Sequence, residues 1–291
     1  MKTVKPFIKW AGGKSQLLNM IRTKYPQKIE RYCEPFVGGG AVLLDVLANF
    51  SPSEVYINDI NSALVNTYRQ VQTNVEALIS QLEKMQTEFW AADSEMRKTI
   101  YTQNRERFNS MVNNNDDSVD KAVLLIFLNK TCFNGLYRVN SKGLFNVPIG
   151  SYKKPPICDS ENLRYISKLL QNVQINCGDY KDCADFIDGN TFVYIDPPYR
   201  PLTVTASFTS YNENEFGDQQ QIELSRFIDE ISKKGARVVA SNSDPKNSDA
   251  NDDFFDNLYA KYRIDRVSAK RMINSKATGR GNVNELLICN Y

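Results

Sequence analysis

Three consecutive glycines, Gly38-Gly39-Gly40, separate a short apolar stretch from a helical run, and this junction limits the chain to few architectures. Tyr32 to Phe36 reads as a strand, Ala41 to Ala48 as a helix, and Val55 to Ile57 as a second strand ending at Asn58-Asp59. Strand, turn, helix and strand in that order open a βαβ unit, which predicts parallel strands. Glycines at the turn let the backbone approach a ligand and aim N–H groups and the helix dipole at it. Asp59, nineteen residues beyond Gly40, stands where an acid in a Rossmann-like sheet accepts a ribose diol. The third glycine of the dinucleotide pattern G-x-G-x-x-G falls at Leu43, so the turn points away from NAD and toward a nucleoside ligand such as S-adenosylmethionine.

From Ser62 the pattern turns helical, with Leu64, Val65, Tyr68, Val71, Leu78, Ile79 and Leu82 spaced for one buried face. A further helix is predicted over Asp120 to Cys132. Asn134 to Pro156, rich in Gly, Asn, Pro and Tyr, reads as loop and hairpin. Strand and helix then return: Thr191 to Ile195 is an apolar strand, Gln219 to Ile231 a helix, Arg237 to Ala240 a strand and Glu285 to Cys289 a last strand. The fold class expected is α/β, a Rossmann-like sheet with helices on both faces and an inserted, mostly helical domain. Residues 1–61 and 159–291 form the two parts of the sheet domain in this reading, and 62–158 the insertion.

The chain of 291 residues contains no histidine, which removes the commonest general base and the commonest transition-metal ligand together. Its six cysteines include no C-x-x-C pair, arguing against a zinc knuckle or a disulfide scaffold and for reduced, individually packed thiols; no metal site is expected. No signal-peptide core and no apolar run of membrane-spanning length is present, so a cytoplasmic protein without membrane association is expected.

The formal net charge of +2 hides an uneven distribution. Lys121, Lys130, Arg138, Lys142, Lys153 and Lys154 lie in a stretch without acids, and so do Arg266, Lys270, Arg271, Lys276 and Arg280. A polyanion-binding face would look like this, although charge runs are more often solvated surface.

Trp10-Ala11-Gly12-Gly13-Lys14-Ser15 ends like a P-loop, but the glycine that motif requires five residues before Gly13 is replaced by Ile8, and Pro6 shortens any preceding strand. A lysine beside glycines and an aromatic ring can instead hold the carboxylate of an amino-acid-like ligand. Against this, an isolated tryptophan ordinarily packs into a core.

Asp196-Pro197-Pro198-Tyr199 follows the strand Thr191 to Ile195 directly, and so sits at a strand's carboxyl end, where open α/β sheets place ligands. The prolines fix the chain and remove N–H donors, leaving carbonyl acceptors. Acid, carbonyl and ring together suit a planar exocyclic amine whose hydrogens need acceptors while its ring stacks on Tyr199. If Asp196 and the Pro197 carbonyl accept the hydrogens of adenine N6, the nitrogen can pyramidalise and aim its lone pair at a methyl sulfonium. A base must leave the duplex to reach such a pocket. The plainer alternative is that Asp-Pro-Pro-Tyr is an ordinary turn.

With these elements placed, the chain resembles the Dam family of DNA N6-adenine methyltransferases, the GATC-methylating group that includes restriction-modification and phage enzymes. FIKWAGGK is similar to the family's amino-terminal cofactor motif, EPFVGGG to its Gly-rich motif, INDIN to its ribose-binding turn and DPPY to its catalytic motif. FNGLYRVNSKGLFNVPIGSYKKP is similar to the segment that reads GATC, and PLTVTASFTSY also matches the family. The resemblance implies a cofactor, S-adenosyl-L-methionine, contacted by Trp10, Ala11, Gly12, Lys14, Glu34, Phe36, Gly38, Gly40, Asp59, Ile60, Asp179, Tyr180 and Asp196. It implies catalysis at Asp196, Pro197, Pro198 and Tyr199, and double-stranded DNA held by Lys130, Asn134, Leu136, Arg138, Asn140, Pro148 and Tyr152. Arginine suits base reading because its fork binds guanine bidentately. Ser151 departs from several relatives, which carry a basic residue there, implying a weaker phosphate contact or less discrimination at one base.

The resulting expectation is a monomer or weak dimer acting on the bacterial nucleoid or, if phage-encoded, in the host cell. Cytosine-N4 methylation shares the same geometry and stays open at this point, as does a catalytically silent DNA-binding regulator.

Overall fold

The computed structural model describes residues 4–200, 216–270 and 282–291. It is a mixed α/β protein with a seven-stranded sheet. The strands are β1 (Arg31–Glu34), β2 (Glu54–Asp59), β3 (Val173–Cys177), β4 (Thr191–Ile195), β5 (Arg237–Ser243), β6 (Arg263–Lys270) and β7 (Asn282–Cys289), in the order β3-β2-β1-β4-β5-β7-β6. Pairings β1 to β2, β1 to β4 and β4 to β5 are parallel, while β7 runs antiparallel to both β5 and β6. The parallel strands match the βαβ expectation. The segment Pro201–Tyr211, and Arg271, Lys276 and Arg280 of the second basic stretch, lie outside the described residues.

The chain divides into two compact units. One comprises Met1–Gly13, Gly38–Asn49 and Asn58–Gly178; the other comprises Lys14–Val37, Phe50–Ile57 and Asp179–Tyr291. Four of the crossings between them, at Gly13–Lys14, Val37–Gly38, Ile57–Asn58 and Gly178–Asp179, fall in segments singled out above as motifs or beside them.

The first unit is mostly helical. Past the short α1 (Leu18–Arg22) of the other unit, its helices are α2 (Ala41–Asn49), α3 (Ser62–Thr73), α4 (Val75–Ala91), α5 (Ser94–Asn113), α6 (Val119–Thr131) and α7 (Ser160–Leu170). The helical periodicity from Leu64 to Leu82 is carried by two helices that meet at Asn74, and all seven apolar positions are buried. Asn61 caps α3 by accepting the Leu64 N–H at 3.0 Å, satisfying a donor that has no partner inside the helix. Helix α6 is buried on nearly every side. This corrects the reading of Lys121 as part of a polyanion-binding face: its side chain is 3% exposed, 3.6 Å from Asp117 one helical turn earlier.

The second unit holds β1, β4, β5, β6, β7, the first residues of β2 and helix α8 (Asp218–Lys233). Strand β4 is buried along its whole length, as a central parallel strand must be when both faces are covered. Leu224, Phe227, Ile228 and Ile231 of α8 share a core with Val193, Ile195, Val238 and Ala240 of β4 and β5. All six cysteines are free thiols; Cys33, Cys132, Cys183 and Cys289 are buried, whereas Cys177 is exposed.

Candidate active site

In the first unit, the Gly-rich turn is braced by the acid at the end of β2. Gly38 N–H donates to Asp59 Oδ2 at 3.0 Å, and Asn61 N–H to Oδ1 at 2.9 Å. Burial raises the Asp59 carboxyl above its ordinary pKa, against the lowering effect of the N–H groups of Asn61, Gly38 and Ile60. A carboxylate offers about four lone-pair sites, so acceptor capacity remains for a diol. Part of the freedom of the glycines serves packing: a Cβ on Gly38 would lie 3.0 Å from Trp10 Cδ1, and one on Gly40, φ +70°, would collide with the Tyr68 hydroxyl. That hydroxyl donates to Gly38 O at 3.0 Å. Trp10 is half-buried and stacks on Tyr137, with centroids 5.3 Å apart and planes at 24°. Gly13 N–H donates to Trp10 O at 3.1 Å, closing a turn, so this donor is spent on the backbone where a P-loop would give it to phosphate. Ala11 and Gly12 are exposed, and Ile60 is 73% exposed.

The same unit carries the segment assigned to DNA. Pairings Cys132 with Ile149 and Val139 with Phe145 make Asn134 to Pro148 a hairpin-like excursion, as expected. Arg138 is exposed, its Nε donating to Asn146 Oδ1 at 2.8 Å. Asn140 Oδ1 accepts the N–H groups of Lys142 and Leu144, at 2.9 and 3.1 Å, so this side chain shapes the tip of the excursion. Asn134 is exposed at φ +56°, a region that asparagine tolerates better than most residues. Pro148 is exposed and its carbonyl accepts the Phe133 N–H at 2.9 Å, while Leu136 and Tyr152 are half-buried. Lys130, in the last turn of α6, has its pKa pushed down to about 8 by desolvation and then by the Lys9 charge, against Asp159.

Sequence reasoning missed what supports this excursion. Helix α5 presents Asn109, which exchanges two hydrogen bonds with the Phe145 backbone at 2.8 and 3.1 Å, and Tyr101, whose hydroxyl donates to Val147 O at 2.7 Å. Buried Asn129 likewise exchanges bonds of 2.8 Å with the Lys9 backbone and donates to Gly135 O at 3.0 Å. Only Tyr101 and Phe108 of α5 are buried, too thin an apolar stripe for periodicity to reveal.

In the second unit, β4 delivers Asp196 at its carboxyl end. Ser241 Oγ donates to Asp196 Oδ1 at 2.8 Å, and Tyr194 OH donates to Ser241 Oγ at 3.1 Å. Lys14, 4% exposed, places Nζ 2.7 Å from Asp196 Oδ2, 3.9 Å from Glu285 Oε2 and 4.8 Å from the centre of the Tyr199 ring. Lys14 thus engages the acid of Asp-Pro-Pro-Tyr itself. Tyr199 OH donates to Glu285 Oε2 at 2.6 Å. Pro197 is buried and Pro198 exposed; Pro198 O accepts from Gln221 Nε2 at 3.1 Å, and Gln221 Oε1 accepts from buried Asn242 at 3.0 Å. Phe36 stacks on Tyr180 at 5.2 Å and 26°. Glu34 is buried and accepts the Tyr32 hydroxyl at 2.7 Å, and Asp179 Oδ1 accepts the Lys181 N–H at 2.8 Å.

Residues 10–273 match the model of the D12 class N6 adenine-specific DNA methyltransferases. The chain belongs to this family. The adenine methyltransferase is 48% identical over 295 residues to the Type II methyltransferase M.MjaIII of Methanocaldococcus jannaschii, which covers 99% of each chain. It is 36% identical to the Type II methyltransferase M1.LlaDCHI of Lactococcus lactis, over 99% of this chain and 96% of that one. With the DNA adenine methylase of Escherichia coli K12 it shares 35% identity over 99% of this chain and 95% of that one. It is therefore an enzyme whose substrate is DNA and whose target is adenine N6, which sets aside the cytosine-N4 and silent-regulator readings. No helix among the described residues of the methyltransferase is long and apolar enough to cross a membrane. Glu285, Ser241, Gln221 and Asn242 escaped the sequence reading; the one signal for Glu285 is an acid opening an otherwise apolar strand segment, Leu286 to Ile288.

Proposed function

We propose that this methyltransferase transfers a methyl group from S-adenosylmethionine to N6 of an adenine drawn out of a GATC duplex. The observation that carries the reading is Asp196 at the carboxyl end of β4, one oxygen held by Ser241 and the other by Lys14, beside the Tyr199 ring. A carboxylate fixed in this way accepts an amine hydrogen without reorienting, and preorganised acceptors are worth most where water is scarce. Pro197 O is the second acceptor in this scheme, and Tyr199 offers a face for the purine ring. With both hydrogens held by acceptors the N6 lone pair localises on nitrogen and takes the methyl group as its bond to sulfur breaks, the sulfur departing as a neutral thioether; N6 then gives up one proton toward the Asp196 oxygen that holds it and on to solvent.

The residues fit the cofactor's chemistry. In the first unit, Asp59 keeps acceptor capacity for ribose hydroxyls and Gly38, Gly40, Trp10, Ala11, Gly12 and Ile60 line its motifs; in the second, Lys14 is a buried cation suited to a carboxylate, and Phe36, Tyr180, Asp179 and Glu34 suit the adenosine portion. When bound, the sulfonium supplies an electrophilic methyl group.

Residues 62–158 act as the target-recognition domain in this reading, and 1–61 with 159–291 as the catalytic domain. Arg138, Asn134, Leu136, Pro148 and Tyr152 read the bases, with Lys130 and Asn140 supporting backbone contact. Similarity to two Type II methyltransferases supports a place in restriction-modification, acting where DNA is, in the cytoplasm.

The experiment is to incubate plasmid, protein and cofactor and challenge the product with nucleases that differ in sensitivity to methylated GATC. Protection at GATC is expected with the parent and none with Asp196→Ala. Methylation of adenine at another sequence refutes the GATC assignment, and undiminished transfer by Asp196→Ala refutes the role of the acid.

A further inference from the structure

Two strands of the second unit tether the Asp-Pro-Pro-Tyr turn from beyond the turn itself. Ser241 on β5 holds Asp196, and Glu285 on β7 holds the Tyr199 hydroxyl at 2.6 Å; Ser243 and Glu285 are paired residues of these adjacent antiparallel strands. Pro197 and Pro198 limit the backbone that precedes Tyr199, but they leave the tyrosine side-chain torsions open. A hydroxyl bonded to a charged acceptor removes that freedom, since charge-assisted bonds are about twice as strong as neutral ones. Burial and the charges of Asp196 and Glu285 raise the Tyr199 pKa, so its hydroxyl stays protonated and donates.

We propose that Glu285 is a positioning residue for methyl transfer: by accepting the Tyr199 hydroxyl it fixes the ring beside Asp196 at the orientation in which the target base is held. The proposal rests on the reading of Asp196 and Tyr199 given above. Glu285 touches neither base nor cofactor in this scheme and acts through Tyr199. The same carboxylate oxygen faces Lys14 Nζ at 3.9 Å, so β7 engages both the ring and the cation that pairs with Asp196.

The test measures single-turnover methyl transfer to a duplex that the parent methylates, the KM for S-adenosylmethionine, and the fluorescence of 2-aminopurine at the target position. The variants are Glu285→Ala, Glu285→Gln, Tyr199→Phe, the double variant Glu285→Ala/Tyr199→Phe, and Asp196→Ala. Glu285→Ala should slow transfer about tenfold to a hundredfold, with the cofactor KM within about threefold of the parent, as expected for misplacement of a group near the reacting atoms. Glu285→Gln, which can still accept the hydroxyl, should restore the rate to within about threefold, and Glu285→Ala should add nothing to Tyr199→Phe. The 2-aminopurine signal should change in Glu285→Ala and recover in Glu285→Gln.

Parental rates in Glu285→Ala, multiplicative losses in the double variant, or Glu285→Gln as slow as Tyr199→Phe would each overturn the proposal. The last comparison still decides the matter if the alanine variant does not fold. An active Asp196→Ala removes the reading beneath the proposal; an inactive one beside a fully active Glu285→Ala overturns the positioning role alone.

Discussion

Lys14 and Asp196 form an ion pair of 2.7 Å with side chains only 4% and 19% exposed. A lysine that sequence analysis assigns to the carboxylate of a ligand is therefore also the partner of the proposed catalytic acid. A cation withdrawn from water needs a compensating charge, and Asp196 with Glu285 provides it.

Breaking this pair should cost stability. Lys14→Met leaves two carboxylates, Asp196 and Glu285, without their cation, and loss of one partner of a buried pair costs about 3 kcal/mol at the lower end of the usual range. Lys14→Met/Asp196→Asn should recover more than half of that loss. Urea unfolding curves of parent, single and double variants give the comparison, and a Lys14→Met midpoint equal to the parent's would contradict it.

Gly40→Ala tests the packing of the Gly-rich turn. The added Cβ meets the Tyr68 hydroxyl, and at φ +70° any side chain adds about 1–2 kcal/mol of backbone strain. Tyr68→Phe removes the obstructing oxygen, so Gly40→Ala should be less destabilising in that background than alone. Equal losses in both backgrounds, measured by denaturant titration, would show that the hydroxyl is not the obstacle.

The Gln221–Asn242 amide pair secures the backbone after Pro197. Gln221→Leu leaves buried Asn242 Nδ2 without its acceptor, at about 1–3 kcal/mol for a buried polar group left unpaired, and releases the carbonyl of exposed Pro198 from its protein donor. The expected result is a lower unfolding midpoint together with slower methyl transfer at saturating substrates. A variant with a lower midpoint but the parental turnover rate would confine the pair to stability.

Lys130 gives a pH dependence with a definite sign. Its folded pKa of about 8 lies below the value of an unfolded lysine, so between the two the unfolded chain holds a proton that the folded chain has released. Stability contributed at this site therefore rises as pH increases from about 8 toward about 10.4, and below 8 the buried charge is a cost. Lys130→Met should be more stable than the parent at pH 7, with the difference shrinking by pH 9. A difference that stays constant across urea titrations at pH 7, 8 and 9 would contradict the desolvation of Lys130.

Much of the framework around Asp196 is legible in the sequence because it is local. Strand β4 reads with its observed bounds, since a continuous apolar run closed by Asp-Pro-Pro has few other readings. Helix α6 and strand β5 read to within a few residues of their observed bounds. Helix α5 does not, because twenty residues with only Tyr101 and Phe108 buried leave little periodic signal. Strands β3 and β6 are not legible either: β3 buries only Val173, and β6 interleaves Arg263, Asp265 and Arg266 with apolar residues at the end of the sheet order, where a strand need not be apolar.

The family, the parallel strands and the motif-bearing turns follow from the amino-acid order alone, because short-range periodicity and residue chemistry specify them. The partners of the motifs do not. Glu285 lies 86 residues from Tyr199, Ser241 lies 45 from Asp196, and neither spacing carries any local signal. Such contacts exist only once β4, β5 and β7 are hydrogen-bonded in register, since strand pairing, and not distance along the chain, decides which side chains meet.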